Sequence, residues 1–134
     1  MRAYRAWLKK PAGPNRGFMT NCLFCRIVAG EIPANKVYED NQLIGFWDIA
    51  PKAPVHVLLI PKQHVSSLYH MDDSNQGLIQ AMIVAAPVLA KQLGLSDGFR
   101  LIANTGEACG QTVHHVHFHI LGNFTDSGDT GFPA

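Results

Sequence analysis

Three histidines alternate with three large apolar residues near the carboxyl end of the chain. The histidines are His115, His117 and His119, and the apolar residues are Val116, Phe118 and Ile120. Side chains along a strand alternate between two faces, so an extended segment over residues 111–121 would place the imidazoles together. Neutral imidazole can act as a nucleophile, move protons or bind a metal. A structural strand more usually carries Thr, Lys or Glu on its polar face, so this pattern indicates a chemical site.

Two cysteines near the start of the chain form a second group with chemical potential. Cys22 and Cys25 lie three residues apart on a segment that favours a short helix, which would project both thiols from one side. A redox CxxC motif would follow a strand and precede a long helix, and neither is evident here. From the residues alone, a buried thiol pair and a metal site both remain open.

The order His-apolar-His-apolar-His-apolar-apolar resembles the signature of the histidine triad (HIT) nucleotide hydrolases and transferases. Its flanks, Gln111-Thr112 and Leu121-Gly122, are most similar to the Hint branch of that family. A second segment, residues 54–64, is similar to the family sequence Pro-x-His, three apolar residues, Ile-Pro-Lys-x-His. The resemblance covers about residues 21–123, which is most of the chain.

The resemblance implies nucleotidyl transfer to His117 and then to water. The main-chain carbonyl of His115 would hold the Nδ1 proton of His117, which leaves Nε2 free to attack phosphorus. His119 would stabilise charge on the nonbridging oxygens, and His56 would contact the phosphate or help the departing amine take a proton. The implied catalytic residues are therefore His117, His119, His115 and His56. This mechanism needs no magnesium, and the sequence has no Walker loop.

The same resemblance implies a nucleotide pocket. Asp48 matches an aspartate that accepts hydrogen bonds from the ribose hydroxyls, although an aspartate at this point could simply cap a turn. Asn104 and Thr112 match phosphate-contacting positions, with Thr112 replacing the serine common in Hint proteins. The apolar walls favour a purine base through their stacking area. The implied nucleotide-binding residues are Phe24, Phe46, Trp47, Asp48, Ile49, Asn104, Gly110, Gln111, Thr112, His117 and His119.

Zinc-binding bacterial members of the family, by resemblance, use four further residues. The matching positions are filled here by Cys22, Cys25, His64 and His115. Two thiolates and two imidazoles suit a closed tetrahedral Zn²⁺ site, so the expected zinc is structural. The alternative is a pair of reduced cysteines in an apolar corner.

Three classes of function remain open. The first is hydrolysis of purine nucleoside 5′-phosphoramidates, with AMP-linked amines as substrates. The second is a dinucleoside polyphosphate hydrolase or a nucleotidyltransferase; the transferase branch carries glutamine in place of the third histidine, so His119 argues against it. The third is a zinc-stabilised, dimeric nucleotide-binding or regulatory protein. Resemblance to Hint proteins also implies a homodimer whose two sheets join across a two-fold axis.

The helices and strands expected around these residues indicate an α+β fold of HIT type. It would contain about five mostly antiparallel strands with one long and one short helix. The short helix covers residues 22–28, and the long helix runs from Asp73 or Ser74 to about Leu93 with a kink at Pro87. The remaining expected strands are residues 36–39, 43–47, 55–60 and 98–104.

Composition sets the outer limits. The 134 residues are 47% hydrophobic and 16% charged, which is typical of one globular domain with its own core. Residues 1–18 hold five basic groups and no acid, so the remainder carries 6 basic and 10 acidic groups, a net charge of −4. That balance disfavours a nucleic acid as partner.

The termini and the cellular setting complete the expectations. The longest apolar run, residues 81–90, contains Pro87 and is too short to span a bilayer, so no membrane partner is expected. Three cysteines do not make a disulfide framework, which favours a reducing, cytoplasmic setting. Residues 1–20 are expected to be a disordered extension, followed by the HIT domain at 21–123 and a C-terminal tail at 124–134.

Overall fold

The structure, a computed structural model, describes residues 21–124. The expected extension (1–20) and all but the first residue of the expected tail lie outside the described residues. The helices are α1 (Leu23–Val28) and α2 (Gln76–Gln92), and the strands are β1 (Lys36–Glu39), β2 (Leu43–Trp47), β3 (Val55–Pro61), β4 (Arg100–Ile102) and β5 (Phe118–Gly122). Within residues 21–124, no helix has both the length and the apolar character needed to cross a bilayer.

The five strands form one sheet in the order β1-β2-β3-β5-β4, and each neighbouring pair is antiparallel. The predicted α+β fold with one long and one short helix is confirmed. The β1–β2 hairpin has the predicted bounds, because Asp40 Oδ1 accepts the main-chain N–H groups of Gln42 and Leu43, each at 2.8 Å. β4 is shorter than predicted, since Gly98 still belongs to the preceding turn, where its N–H donates to Leu95 O at 3.3 Å.

The central strand β3 separates two apolar clusters. Its residues are all buried, and their alternation sends Val57 and Leu59 toward α2 and Leu58 and Ile60 toward α1. His56 alternates with Leu58 and Ile60 along the strand and shares their face, where its ring contacts that of His119 beside the cavity described below. Burial of each large aliphatic side chain contributes about 1.5–3 kcal/mol, which makes this strand a rigid support for His56.

The histidine segment is extended over a shorter range than predicted. β5 begins at Phe118, whereas residues 113–115 form a bend. The physical reason is a competing hydrogen bond, in which the main-chain N–H of Val116 donates to Val65 O at 2.6 Å instead of to a neighbouring strand. The apolar side of the pattern still packs together on the α2 side of the sheet, through Val116, Phe118 and Ile120. The bend therefore turns His115 away from the line of the strand without breaking the alternation.

Helix α2 begins two or three residues after the predicted start. Asp72 Oδ1 accepts the main-chain N–H of Ser74 at 2.8 Å, and Asn75 Oδ1 accepts that of Asp72 at 2.8 Å, so this segment forms a capped turn instead. The helix continues through Pro87. Leu78, Met82, Ala85 and Leu89 repeat at helical spacing and are buried, and Leu93 beyond the helix is partly buried.

Candidate functional site

A cavity of about 680 Å³ lies on the α1 side of the sheet, a volume that suits a small-molecule ligand. It is bounded by α1, β2, β3 and the segment that leads into β5. Eight of the predicted nucleotide-binding residues line it: Phe24, Phe46, Trp47, Asp48, Ile49, Thr112, His117 and His119.

Part of the cavity wall could not be found from sequence patterns. The additional lining residues are Leu23, Ile27, Ile32, Pro33, Ala34, Asn35, Leu58 and Val113. All of them except Asn35 are apolar, and nothing in their spacing says that α1 crosses to the histidines. The link is Phe24, whose ring packs edge-on against those of His117 at 5.1 Å and Phe46 at 5.6 Å between centroids.

His117 is held in one tautomer. Its Nδ1–H donates to the main-chain oxygen of His115 at 2.8 Å, so its Nε2 carries the lone pair. The ring is 7% exposed and lines the cavity. Burial lowers the pKa of His117 below its ordinary value, which keeps the imidazole neutral near pH 7. A neutral imidazole with a free Nε2 is the form that can attack an electrophile.

His119 and His56 form a contact at the edge of the cavity. His56 Nε2 lies 2.9 Å from His119 Nδ1 and 3.4 Å from Asp48 Oδ2. Burial, together with the neighbouring His117 and His56, lowers the pKa of His119 to about 4. Burial also lowers the pKa of His56, against the opposing charge of Asp48. His56 itself is buried behind His119, so of these two only His119 lines the cavity.

Asp48 stands where β2 ends and the loop to β3 begins. Its main-chain N–H donates to His56 O at 3.0 Å, and its Oδ1 accepts the N–H of Ala50 at 2.8 Å. It therefore does cap a turn, as the simpler interpretation held. A carboxylate has about four acceptor sites, so capacity remains for a ligand on the cavity side.

Three of the predicted nucleotide-binding residues are not among those that line the cavity: Asn104, Gly110 and Gln111. The Gln111 amide is turned inward, accepting Gly106 N–H at 2.9 Å and donating to Ser66 O at 2.7 Å and Val113 O at 3.1 Å. The main-chain N–H groups of Gly110 and Gln111 donate within their own loop. These residues shape the loop that presents Thr112, and their contact with a nucleotide stays a prediction.

The four predicted metal ligands lie close together and form the cysteine–histidine cluster: Cys22, Cys25, His64 and His115. Their donor atoms all lie within 4.8 Å of one another. Cys22 Sγ is 3.4 Å from His115 Nδ1, and Cys25 Sγ is 3.3 Å from His64 Nδ1. Hydrogen bonds with Cys25 and with the two histidines hold the pKa of the Cys22 thiol well below its ordinary value, although burial opposes this.

The tautomer of His115 suits a metal ligand. Its Nε2–H donates to Pro61 O at 2.8 Å, so Nδ1 turns a lone pair toward the thiols. A ring N–H held by a carbonyl is the usual support of a metal-bound histidine. Two thiols and two imidazoles, with Cys22, Cys25 and His115 fully buried, fit a tetrahedral zinc site that has no open position.

The cysteine–histidine cluster and the cavity share His115. Its Nδ1 faces the thiols, while its main-chain oxygen holds the Nδ1–H of His117. The Phe24 ring also touches both groups, since its centroid lies 5.8 Å from that of His115 and 5.1 Å from that of His117. The position of the cavity imidazole therefore depends on the cluster behind it.

Comparison with known proteins agrees with this geometry. A family model for the HIT domain matches residues 29–126. Protein HitA of Neisseria gonorrhoeae is 51% identical over 104 residues, which cover 78% of this chain and 97% of HitA. A solved HIT family hydrolase from Clostridium thermocellum has a TM-score of 0.78 at 43% identity, covering 81% of this chain and 95% of that one. A histidine triad nucleotide-binding protein from Candida albicans has a TM-score of 0.67 at 36% identity, covering 74% of this chain and 72% of that one.

The matched segment contains the cavity histidines and most of the cavity wall. It begins after Cys22 and Cys25, so the two cysteines of the cysteine–histidine cluster lie outside the family match. On sequence, strand order and histidine geometry together, this chain belongs to the HIT domain family.

Proposed function

We propose that this protein is a nucleotide-binding hydrolase that cleaves purine nucleoside 5′-phosphoramidates, with AMP-linked amines as substrates. The observation that carries the proposal is the His117 tautomer, in which Nδ1–H is held by His115 O at 2.8 Å and Nε2 is free beside the cavity. Relatives described as a HIT family hydrolase and as a nucleotide-binding protein support the general class.

The proposed reaction proceeds in two displacements at phosphorus. His117 Nε2 forms a bond to phosphorus while the phosphorus–nitrogen bond of the substrate breaks, and the departing amine takes up a proton. Water then attacks phosphorus, the bond to Nε2 breaks, and AMP and a proton are released. His119 and Thr112 line the cavity and would stabilise the charge that develops on the nonbridging oxygens.

The purine nucleoside would occupy the apolar half of the cavity. Phe46, Trp47 and Ile49 line the cavity and offer apolar surface for a base, and the exposed Ile49 side chain is available to cover the base. Asp48 would accept hydrogen bonds from the ribose hydroxyls. This arrangement favours a purine through its larger stacking area.

We further propose that Cys22, Cys25, His64 and His115 hold a structural Zn²⁺. The ion would tie α1 to the segment that carries the catalytic histidines, and it would leave the carbonyl of His115 available to His117. A cytoplasmic location is also proposed, because none of the three cysteines forms a disulfide and the proposed zinc site needs Cys22 and Cys25 reduced.

The proposed assembly is a homodimer. Among the described residues β4 pairs only with β5, so its other edge is open to a second strand. Leu101 on β4 is 39% exposed, and α2 presents Ile83, Val84 and Val88 to solvent. Exposed apolar residues on an edge strand and on a long helix are what an interface with a second copy would cover.

The test combines turnover with trapping of the intermediate. The protein should hydrolyse a fluorogenic adenosine phosphoramidate, and rapid quenching followed by mass spectrometry should find AMP attached to His117. The His117→Ala variant should lose about three orders of magnitude or more in turnover, because the covalent route is then absent. His70→Ala is the matched control, since that histidine is exposed and lies outside the cavity.

The alternatives separate in the same experiment. Preferential turnover of diadenosine polyphosphates would replace the proposed substrate class and keep the mechanism. Binding of AMP without turnover of either substrate would identify a binding protein instead. Near-normal turnover in His117→Ala would remove the proposed mechanism.

A further inference from the structure

Asp48, His56 and His119 form a second group of potential metal donors. One donor atom from each lies within 4.8 Å of the other two, as in the cysteine–histidine cluster. Two histidines and a carboxylate are a common donor set for divalent transition metals. The same atoms could instead form a hydrogen-bonded chain. The positions of the ring protons decide between these two possibilities.

The main-chain N–H of Lys52 determines the tautomer of His56. That N–H donates to His56 Nδ1 at 3.0 Å. A nitrogen that accepts a hydrogen bond must carry its lone pair, so the single proton of a neutral His56 ring is on Nε2. A doubly protonated ring would direct its Nδ1–H at the Lys52 N–H, so this amide also disfavours the charged form.

The tautomer of His56 in turn determines that of His119. His56 Nε2–H points to His119 Nδ1 at 2.9 Å, a shorter contact than the 3.4 Å to Asp48 Oδ2. His119 Nδ1 therefore accepts, and the proton of a neutral His119 is on Nε2. Since His119 lines the cavity, it offers an N–H donor there. His117, with its proton on Nδ1, is the opposite tautomer and offers a lone pair.

This pattern disfavours a metal ion on the second group. A metal-bound histidine normally donates its other ring N–H to an acceptor, as His115 does to Pro61 O at 2.8 Å. His56 has no such acceptor, because its other ring nitrogen, Nδ1, faces the N–H donor of Lys52. If a metal displaced the proton from His56 Nε2, that proton would have to move to Nδ1 and would meet the Lys52 N–H. The two donors would then face each other, and the Nδ1–H of the buried His56 would lack an acceptor.

We propose that the main-chain N–H of Lys52 sets a one-directional hydrogen-bond relay through His56 to His119, which keeps His119 an Nε2–H donor and excludes a second metal. Lys52 and His56 are positioning residues in this relay. The role of the relay in catalysis rests on the proposed function, in which the His119 Nε2–H donates to a phosphoryl oxygen or to the leaving amine. The existence of the relay depends only on the tautomers, and these can be measured without substrate.

The direct test is long-range proton–nitrogen NMR on the full chain with ¹⁵N-labelled histidine. His56 and His119 should each show an unprotonated Nδ1 and a protonated Nε2, and His117 should show the reverse in the same spectrum. A proton on Nδ1 of His56 or of His119 would overturn the relay. Correct tautomers in a protein that lacks phosphoramidase activity would overturn the proposed function and leave the relay intact.

Two substitutions at one position isolate the amide from the side chain. Lys52→Pro removes the main-chain N–H and should release His56 to a mixture of tautomers, while Lys52→Ala keeps the N–H and should keep the wild-type nitrogen spectrum. A spectrum unchanged in a folded Lys52→Pro protein would show that the amide does not set the tautomer.

A metal titration tests the relay without any change at Lys52. Wild type and Asp48→Asn should bind the same number of Co²⁺ equivalents per chain. An equivalent of Co²⁺ that is lost in Asp48→Asn would mean that the second group is a metal site, which would contradict the relay.

Discussion

The Cys22→Ser substitution tests whether the cysteine–histidine cluster holds zinc, with little interference from other effects. Cys22 is the residue that caps α1, and its Sγ accepts the main-chain N–H of Cys25 at 3.4 Å. Serine is among the strongest residues at a helix N-cap, so the substitution keeps the capping hydrogen bond. What it removes is one of two thiolates from a closed four-ligand site. Any loss of stability then reports on the metal.

The size of the effect follows from ligand linkage. Free Zn²⁺ at ~100 times its dissociation constant stabilises a folded protein by about 2.7 kcal/mol. For a domain of this size that free energy raises the melting temperature by roughly 10 °C. In Cys22→Ser the increase on adding zinc should fall to less than about a third of the wild-type value, because a thiolate ligand is missing. In the presence of a chelator, the variant should melt at or slightly above the wild-type temperature.

The assay has three parts and one control. Metal analysis of wild type purified without added zinc should find about one Zn²⁺ per chain. Thermal melts of wild type and Cys22→Ser, each with zinc and with chelator, then give the zinc-dependent rise in melting temperature of each protein. Cys109→Ser is the matched control, because Cys109 is exposed and outside the cluster, so its zinc response should equal that of wild type. Wild type without bound metal and without a zinc-dependent rise would refute the reasoning, as would a full rise in Cys22→Ser.

Three further outcomes follow from the site and the fold. If Asp48 accepts from both ribose hydroxyls, a 2′-deoxy substrate loses about 1.5–3 kcal/mol and its kcat/KM should fall about tenfold to a hundredfold; equal constants would remove Asp48 from this role. Burial and its neighbours lower the pKa of His119 to about 4, and burial lowers that of His56, whereas an unfolded histidine titrates near its ordinary value. Between the lowered pKa values and the ordinary pKa of histidine, the unfolded chain binds more protons than the folded chain. The free energy of unfolding therefore falls as the pH decreases from 7 toward 4. Melting with chelator present should show this decrease, and it should be shallower in His119→Gln; equal pH slopes would contradict the assignment. Val84 is 60% exposed, so Val84→Lys should keep the monomer folded while shifting sedimentation from dimer to monomer. An unchanged dimer would show that this face of α2 is not the interface.

Alternation along strands predicted the fold, whereas resemblance to known proteins pointed to eight of the sixteen residues that line the cavity. The period of two correctly grouped Val116, Phe118 and Ile120 on one face, and it placed His56 beside Leu58 and Ile60 on the other. Resemblance to known proteins supplied the rest of the prediction, including the two cysteines.

Other features depend on contacts that sequence patterns do not contain. The bend at residues 113–115 arises from a hydrogen bond to Val65, which is about fifty positions away along the chain. The inward turn of the Gln111 amide depends on the carbonyls of Ser66 and Val113. The hydrogen bond to the His56 ring comes from the main-chain N–H of Lys52, and no side-chain pattern encodes a main-chain donor.

The shared position of His115 has a consequence for protein engineering. Its Nδ1 faces the thiols, its Nε2–H is bound to Pro61, and its carbonyl holds the His117 ring. Another amino acid could keep the carbonyl but not the two ring nitrogens in those positions. A redesign of the proposed zinc site must therefore vary Cys22, Cys25 or His64 and leave His115 untouched. Conversely, grafting the segment that carries the cavity histidines onto another scaffold would require transferring the residues around His115 as one unit.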